Sequence, residues 1–375
     1  MQILLALVFS LLPFTVMAGT FVYVSNADDG DIGVYTLQAD GKLVPGPRVA
    51  AAKVVMPMAV SPDRRFLYAA ARSKPYAVHA FGIDAKTGAL TPIATAPLAE
   101  SFPYISTDRA GRYLFGASYG GNVLSVNPIG AGGRVGEPQQ VIPVGRNAHS
   151  VRIDNTNRYV FVPTLGTDQV FQFVFDPASG KLTANTPPLV QLKQGTGPRH
   201  LIVSADNRFV YVLSELVGTV TTFALDAKTG LLTEQDAVAV LPADSKLQPG
   251  MPRGAVGTPG ANQAPRNTDN DIWASDVHLT PDGRFMYAAE RTTSTLATLR
   301  VDGASGKLAY VSSTPTEQQP RGFAIDPSGK YLVASGEKSG TISVYAIDAS
   351  SGALKLLDKY PTGKGSNWVE IVATD

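Results

Sequence analysis

The chain has 375 residues, with 32 basic and 31 acidic side chains for a formal charge of +1, 36 glycines, 27 prolines and no cysteine. A balanced charge without any Lys/Arg-rich run argues against nucleic acid or an anionic membrane surface as a partner, and the missing thiols exclude disulfides, thiolate metal sites and cysteine nucleophiles. Glycine and proline spread this evenly fit many short strands joined by turns.

Residues 1–18, MQILLALVFSLLPFTVMA, are almost entirely apolar, with small residues at Val16 and Ala18. They read as a signal peptide cleaved after Ala18, which places the mature chain, 19–375, in the periplasm or outside the cell. No later stretch is long and apolar enough to span a bilayer.

From there on one pattern recurs: a turn, a basic residue, an aromatic anchor, then alternating apolar residues. It appears as DRRFLY (63–68), AGRYLF (110–115), TNRYVF (156–161), DNRFVY (206–211), DGRFMY (282–287) and SGKYLV (328–333), with a degenerate copy, GTFVY, at 19–23. The anchors Phe21, Phe66, Tyr113, Tyr159, Phe209, Phe285 and Tyr331 are 45 to 50 residues apart, except for the 76 between Phe209 and Phe285. A fixed period in this range marks an array of equivalent modules. Each module reads as four strands; around Phe209 these are 199–204, 208–215, 219–226 and 231–240. A glycine turn between the third and fourth strands also recurs (DGKL 40–43, TGLL 229–232, SGAL 351–354).

Seven four-stranded modules predict an all-β fold, a seven-bladed β-propeller. The last strand, SNWVEIV (366–372), should join the blade begun at 20–26, so that both termini close one blade and no sheet edge is left open. The long interval places an insert at 243–272, rich in Pro and Gly, between two blades on the face where inner strands begin; it is a candidate lid.

Aligning the modules places two columns of residues at one mouth of the channel. Nine residues before the basic residue, where the innermost strand starts, stand Met56, Pro103, His149, Arg199, Ser275 and Arg321, with Asn367 in the closing blade. Four residues after the anchor motif, where the second strand ends, stand Arg72, Tyr119, Leu165, Glu215, Arg291 and Glu337, with Ala27 as the counterpart. Antiparallel neighbours bring these ends together. The convergence of His149, Arg199, Glu215, Arg291, Arg321 and Glu337, with Arg72 and Tyr119 nearby, makes the mouth a candidate site. His200 neighbours it, and His278, mid-strand, reads as a satisfied core residue. No histidine pair has metal-ligand spacing.

The motifs AHSVRIDNTNRYVFVPTLGTDQVFQF, GPRHLIVSADNRFVYVLSEL, WASDVHLTPDGRFMYAAERT and PTEQQPRGFAIDPSGKYLVASGEKSGTISVY resemble, in the same order, those of the seven-bladed propeller lactonases, a family that includes bacterial 6-phosphogluconolactonase and the fungal-type carboxymuconate cyclase. The resemblance spans nearly the whole mature chain. The export signal and the length of the 243–272 insert set this chain apart. In the cyclase branch the resemblance implies catalytic roles for His149, Arg199, Glu215 and Arg291, and neither a metal nor an organic cofactor.

The reading that follows is a lactonase acting on a small anionic lactone, of an acidic sugar or aldonic acid. His149 or Glu215 would be base and acid, Arg199 and Arg291 the oxyanion or carboxylate clamp, and Arg321, Glu337, Arg72, Tyr119 and His200 would contact substrate. Two alternatives stay open at this point: a cyclase-type lactonising enzyme, and a propeller that binds a ligand or protein without catalysis.

Overall fold

A computed structural model describes residues 19–256 and 266–374. They form seven four-stranded antiparallel sheets, and the only helical piece among the described residues is a 3-10 turn at Ala131–Gly133. The blade around Phe209 consists of Pro198–Val203, Phe209–Ser214, Thr219–Leu225 and Leu232–Ala239. The C-terminal strand Ser366–Ala373 pairs with Thr20–Asn26, so the first and last strands of the described residues close one blade, as the repeat count requires. The signal peptide expected at residues 1–18 lies outside the described residues.

Burial is greatest in the second strands and least at the rim. Phe209–Ser214 is buried at every position, because both faces of a second strand pack against neighbouring blades. Leu232–Ala239, at the rim, is exposed at most of its length. This explains the near-continuous apolar runs after each anchor: such strands have no solvent face to alternate with.

The basic residue before each anchor lies over the anchor ring in several blades, with Arg158 at 5.1 Å from Tyr159 and Arg208 at 5.1 Å from Phe209. The anchors and the recurring glycine turns, read separately in the sequence, are one device. The turn glycine of each blade sits against the anchor of the preceding blade: Gly88 on Phe21, Gly230 on Tyr159, Gly352 on Phe285, and Gly41 on Tyr331 across the ring closure. At Gly230 the backbone has φ +72° and a Cβ would overlap the Tyr159 ring, while the Tyr159 hydroxyl donates to the Lys228 carbonyl at 2.5 Å. Glycine is required there twice over, by the left-handed turn and by the close approach.

Candidate active site

The two columns meet at one mouth of the channel through a repeated backbone contact. The N–H of Glu215 donates to the Gly197 carbonyl at 2.8 Å, that of Arg291 to Trp273 at 3.2 Å, that of Glu337 to Gln319 at 3.1 Å and that of Arg72 to Val54 at 3.0 Å. Each ties the residue after a second strand to the residue two before the first-column position of its own blade. Inner strands also break register at the first column: pairing passes directly from Pro198 to His200, from Ala274 to Val277, from Pro320 to Phe323 and from Val55 to Met58. The residues left unpaired include Arg199, Ser275, Arg321 and Met56. Bulges of this kind re-aim side chains and twist the strand, and here they turn the column away from the sheet.

A cavity of about 720 Å³ occupies this mouth. Of the expected residues, Arg72, Tyr119, His149, Glu215, Arg291, Arg321 and Glu337 line it. Arg199 and His200 do not, contrary to the expectation that they contact substrate. Arg199 is fully buried, its unpaired position in the bulge leaving the side chain against Glu215, His200 and the Ser275 carbonyl. His200 is also buried, its two ring nitrogens at 2.8 Å from Arg199 Nη1 and Asp276 Oδ1. His278 also departs from its reading as a core residue. Its ring is a quarter exposed, lies 3.1 Å from Asp276 Oδ2, and lines a second cavity of about 360 Å³, on whose lining inner-strand residues such as Ser106 and Ile153 replace the site columns.

Glu215 is the hub. Its Oε2 accepts from Arg199 Nε at 2.7 Å and from Arg291 Nη2 at 2.8 Å. Burial alone pushes this carboxyl up, but the guanidinium groups of Arg291, Arg199 and Arg321 overturn that and hold it below the ordinary glutamate value. Arg291 also donates to the carbonyls of Trp273 at 3.0 Å and Ala274 at 3.2 Å, leaving Nη1 without an acceptor among the described residues. His149 is held well below the usual histidine value by burial and by Arg199, so it is neutral at pH 7. Its Nδ1 is sealed from solvent and unpartnered, and its ring packs edge-on to Tyr119 at 5.6 Å and His200 at 5.2 Å.

Across the ring, Arg72 is buried with only the Ser101 hydroxyl at 3.1 Å and the Met56 sulfur at 3.5 Å as partners. No carboxylate reaches it within ion-pair distance among the described residues. Burial and the neighbouring Arg321 push its pKa down. Arg321 pairs loosely with Glu337, at 3.6 Å. Counting the lining, Arg72, Arg253, Arg291, Arg321 and Lys338 face Asp28, Glu215 and Glu337.

Two residues of this site, Trp273 and Arg253, and one beside it, Asp276, were not read from the sequence. Trp273 is held between two guanidinium groups, Arg291 at 3.8 Å and Arg253 at 4.0 Å from its ring. Arg253 belongs to the 243–272 insert, whose Met251, Pro252, Gly254 and Val256 also line the cavity, and its carbonyl accepts from the Tyr119 hydroxyl at 2.7 Å. Asp276 was legible by register: it follows Ser275 as His200 follows Arg199.

Comparison with known proteins fits this architecture. Residues 15–371 match the family described as Lactonase, 7-bladed beta-propeller. The chain is 40% identical over 352 residues to the 6-phosphogluconolactonase of Serratia proteamaculans, covering 94% of this chain and 98% of that one. It is 37% identical over 354 residues to that of Pectobacterium carotovorum, covering 94% and 99%. Among solved structures, the Pseudomonas aeruginosa periplasmic gluconolactonase is similar at TM-score 0.81 and 29% identity, over 96% of this chain and 99% of that one. A putative 6-phosphogluconolactonase from Bacteroides fragilis is similar at TM-score 0.82 and 25% identity, over 96% and 99%. With seven matching blades, a shared closing blade and this extent of identity, the chain belongs to the seven-bladed β-propeller lactonase family.

Proposed function

We propose that the cavity hydrolyses the lactone of an acidic sugar or aldonic acid, binding its anionic group at Arg72 and Arg321 and opening the ring beside His149 and Arg291. The observation that carries this reading is Arg72: a buried guanidinium without a carboxylate partner is costly, and an anionic substrate supplies the missing counter-charge. The relatives named 6-phosphogluconolactonase and the periplasmic gluconolactonase support the reaction class.

The chemistry divides among the groups as follows. His149, neutral at rest, takes a proton from water as the water oxygen attacks the lactone carbonyl carbon. The free Nη1 of Arg291 holds the resulting oxyanion, in a site where a fixed donor is worth more than in water. Collapse of the intermediate breaks the bond to the ring oxygen, which takes the proton back from His149 and leaves as a hydroxyl. Glu215 stays ionised and fixes Arg291. An anionic substrate also offsets the cationic surroundings that depress His149, so the base strengthens once the substrate is bound.

The insert is proposed as a cover for the cavity, since Met251 to Gly254 and Val256 line it. Export is proposed from the apolar leader, and the periplasmic gluconolactonase is a precedent for it.

The test is a panel of phosphorylated, carboxylated and neutral sugar lactones, read by proton release. A kcat/KM at least about tenfold higher for an anionic lactone than for its neutral counterpart is expected from one charged contact. Equal rates on both, or no hydrolysis of any, would refute it.

A further inference from the structure

Arg199 is fully buried and does not line the cavity, and three contacts hold its guanidinium. Nε donates to Glu215, and Nη1 reaches both the Ser275 carbonyl and, at 2.8 Å, His200 Nε2. A guanidinium carries donors only, so His200 Nε2 must accept. The ring proton therefore lies on Nδ1, which donates to Asp276 Oδ1 at 2.8 Å. Asp276 in turn accepts from the backbone N–H of Val277 at 3.0 Å and of Phe323 at 3.4 Å. These contacts link two adjacent inner strands, Pro198–Val203 and Ala274–Leu279, with backbone from a third, Pro320–Ile325.

We propose that Asp276 is a positioning residue for lactone opening: by fixing the tautomer of His200 it aims Arg199 at Glu215, and through Glu215 it sets Arg291 against the developing oxyanion. The proposal rests on the reading of Arg291 as the oxyanion clamp. If Asp276 is lost, either tautomer of His200 becomes accessible, and the one with hydrogen on Nε2 sets N–H against the Arg199 N–H. Arg199 must then turn, and Oε2 of Glu215 loses one of its two fixed donors. Charge points the same way: the buried guanidinium lies between one carboxylate in direct contact and a second acting through an imidazole. Second-layer partners that orient a ligating histidine change activity by about 10–100-fold when removed.

The experiment compares Asp276→Asn, His200→Gln and His200→Leu in the mature chain, each assayed well below its Tm. Glutamine retains an acceptor for Arg199 and a donor for Asp276, whereas leucine retains neither. Asp276→Asn and His200→Leu should each lose at least about tenfold in kcat with KM within about twofold, and His200→Gln should keep kcat within about threefold of the parent. A kcat unchanged in Asp276→Asn, or equal losses in His200→Gln and His200→Leu, would overturn the proposal. A second readout needs no substrate. In ¹⁵N-histidine-labelled protein, the resonance absent from His200→Gln should show the Nδ1–H tautomer in the parent and a shift toward Nε2–H in Asp276→Asn. A parent spectrum with Nε2–H or a protonated ring at pH 7 would overturn the relay, even if the parent opened no lactone, a failure that would count against the lactonase reading instead.

Discussion

Arg291 donates to Oε2 of Glu215 at 2.8 Å although 76 positions separate the two residues, each standing just after the second strand of its own blade. The same oxygen takes Arg199, so one carboxylate is shared between two buried guanidinium groups. Breaking such an arrangement from one side leaves uncompensated charge in a low-dielectric interior, which costs about 3–5 kcal/mol. Glu215→Gln is therefore expected to lower Tm markedly and to cut kcat/KM by at least about 100-fold, a loss of about 2.7 kcal/mol in transition-state stabilisation. Thermal unfolding and lactone hydrolysis measure the two effects; activity within threefold of the parent would mean that Glu215 does not orient the clamp.

Arg72 should behave in the opposite way. It has no carboxylate partner to strand, so Arg72→Met removes a desolvated charge and retains most of the side-chain volume. Tm should stay level or rise. KM for an anionic lactone should rise about tenfold or more while the neutral lactone is unaffected, because only the former loses a charge-assisted contact. Equal KM changes for both substrates would assign Arg72 to the scaffold.

Acid should destabilise the protein from an unusually high pH. Burial and Arg199 hold His200 down at about 3, and His149 also lies well below the ordinary histidine value. Below about pH 6.5 the unfolded chain binds a proton at each of these positions and the folded chain does not, so stability is full above that pH and falls as pH drops. Each histidine contributes up to about 1.4 kcal/mol per pH unit. Between pH 6.5 and 5, where unfolded carboxylates are still ionised, His200→Gln should flatten the slope of stability against pH. Denaturant titrations across that window check this, and an identical slope in the variant would sink it.

The guanidinium-stacked Trp273 offers an optical signal. The chain has two tryptophans, so Trp368→Phe isolates it. Seating an anion in the cavity should change Trp273 emission with a saturation curve that tracks KM. Trp273→Leu should lower kcat about tenfold by freeing Arg291, since a stacked guanidinium gains about 0.5–2 kcal/mol. No spectral response to a lactone that is nonetheless hydrolysed would place binding elsewhere.

The inter-blade lock can be tested far from the cavity. Gly230→Ala adds a Cβ into the Tyr159 ring on a backbone with φ +72°, and the strain and overpacking together should cost about 2–5 kcal/mol. Tm should fall with KM unchanged for the fraction that remains folded; an unchanged Tm would show that adjoining blades do not depend on this contact.

The sequence by itself determined the ring. Phe209, Tyr159 and their equivalents recur with a glycine turn because each blade must bury the same surface against the next, and a repeated physical requirement leaves a repeated pattern. It also determined which residues stand at the mouth, since Glu215, Arg291, His149 and Arg72 hold equivalent register positions, and a two-residue side-chain period carries register directly to position. Only the tertiary structure decided depth. Arg199 and Arg321 occupy the same column, yet the first is fully buried against Glu215 and the second lines the cavity. The inner strands bulge at that column, and where a bulged side chain points depends on what its neighbours leave open, not on its place in the repeat. The partners were decided there too: register carries Asp276 to its column but not to His200 of the adjacent blade, and Trp273 meets Arg253 from a loop without periodicity, and contacts between modules leave no trace in the alignment of one module with another.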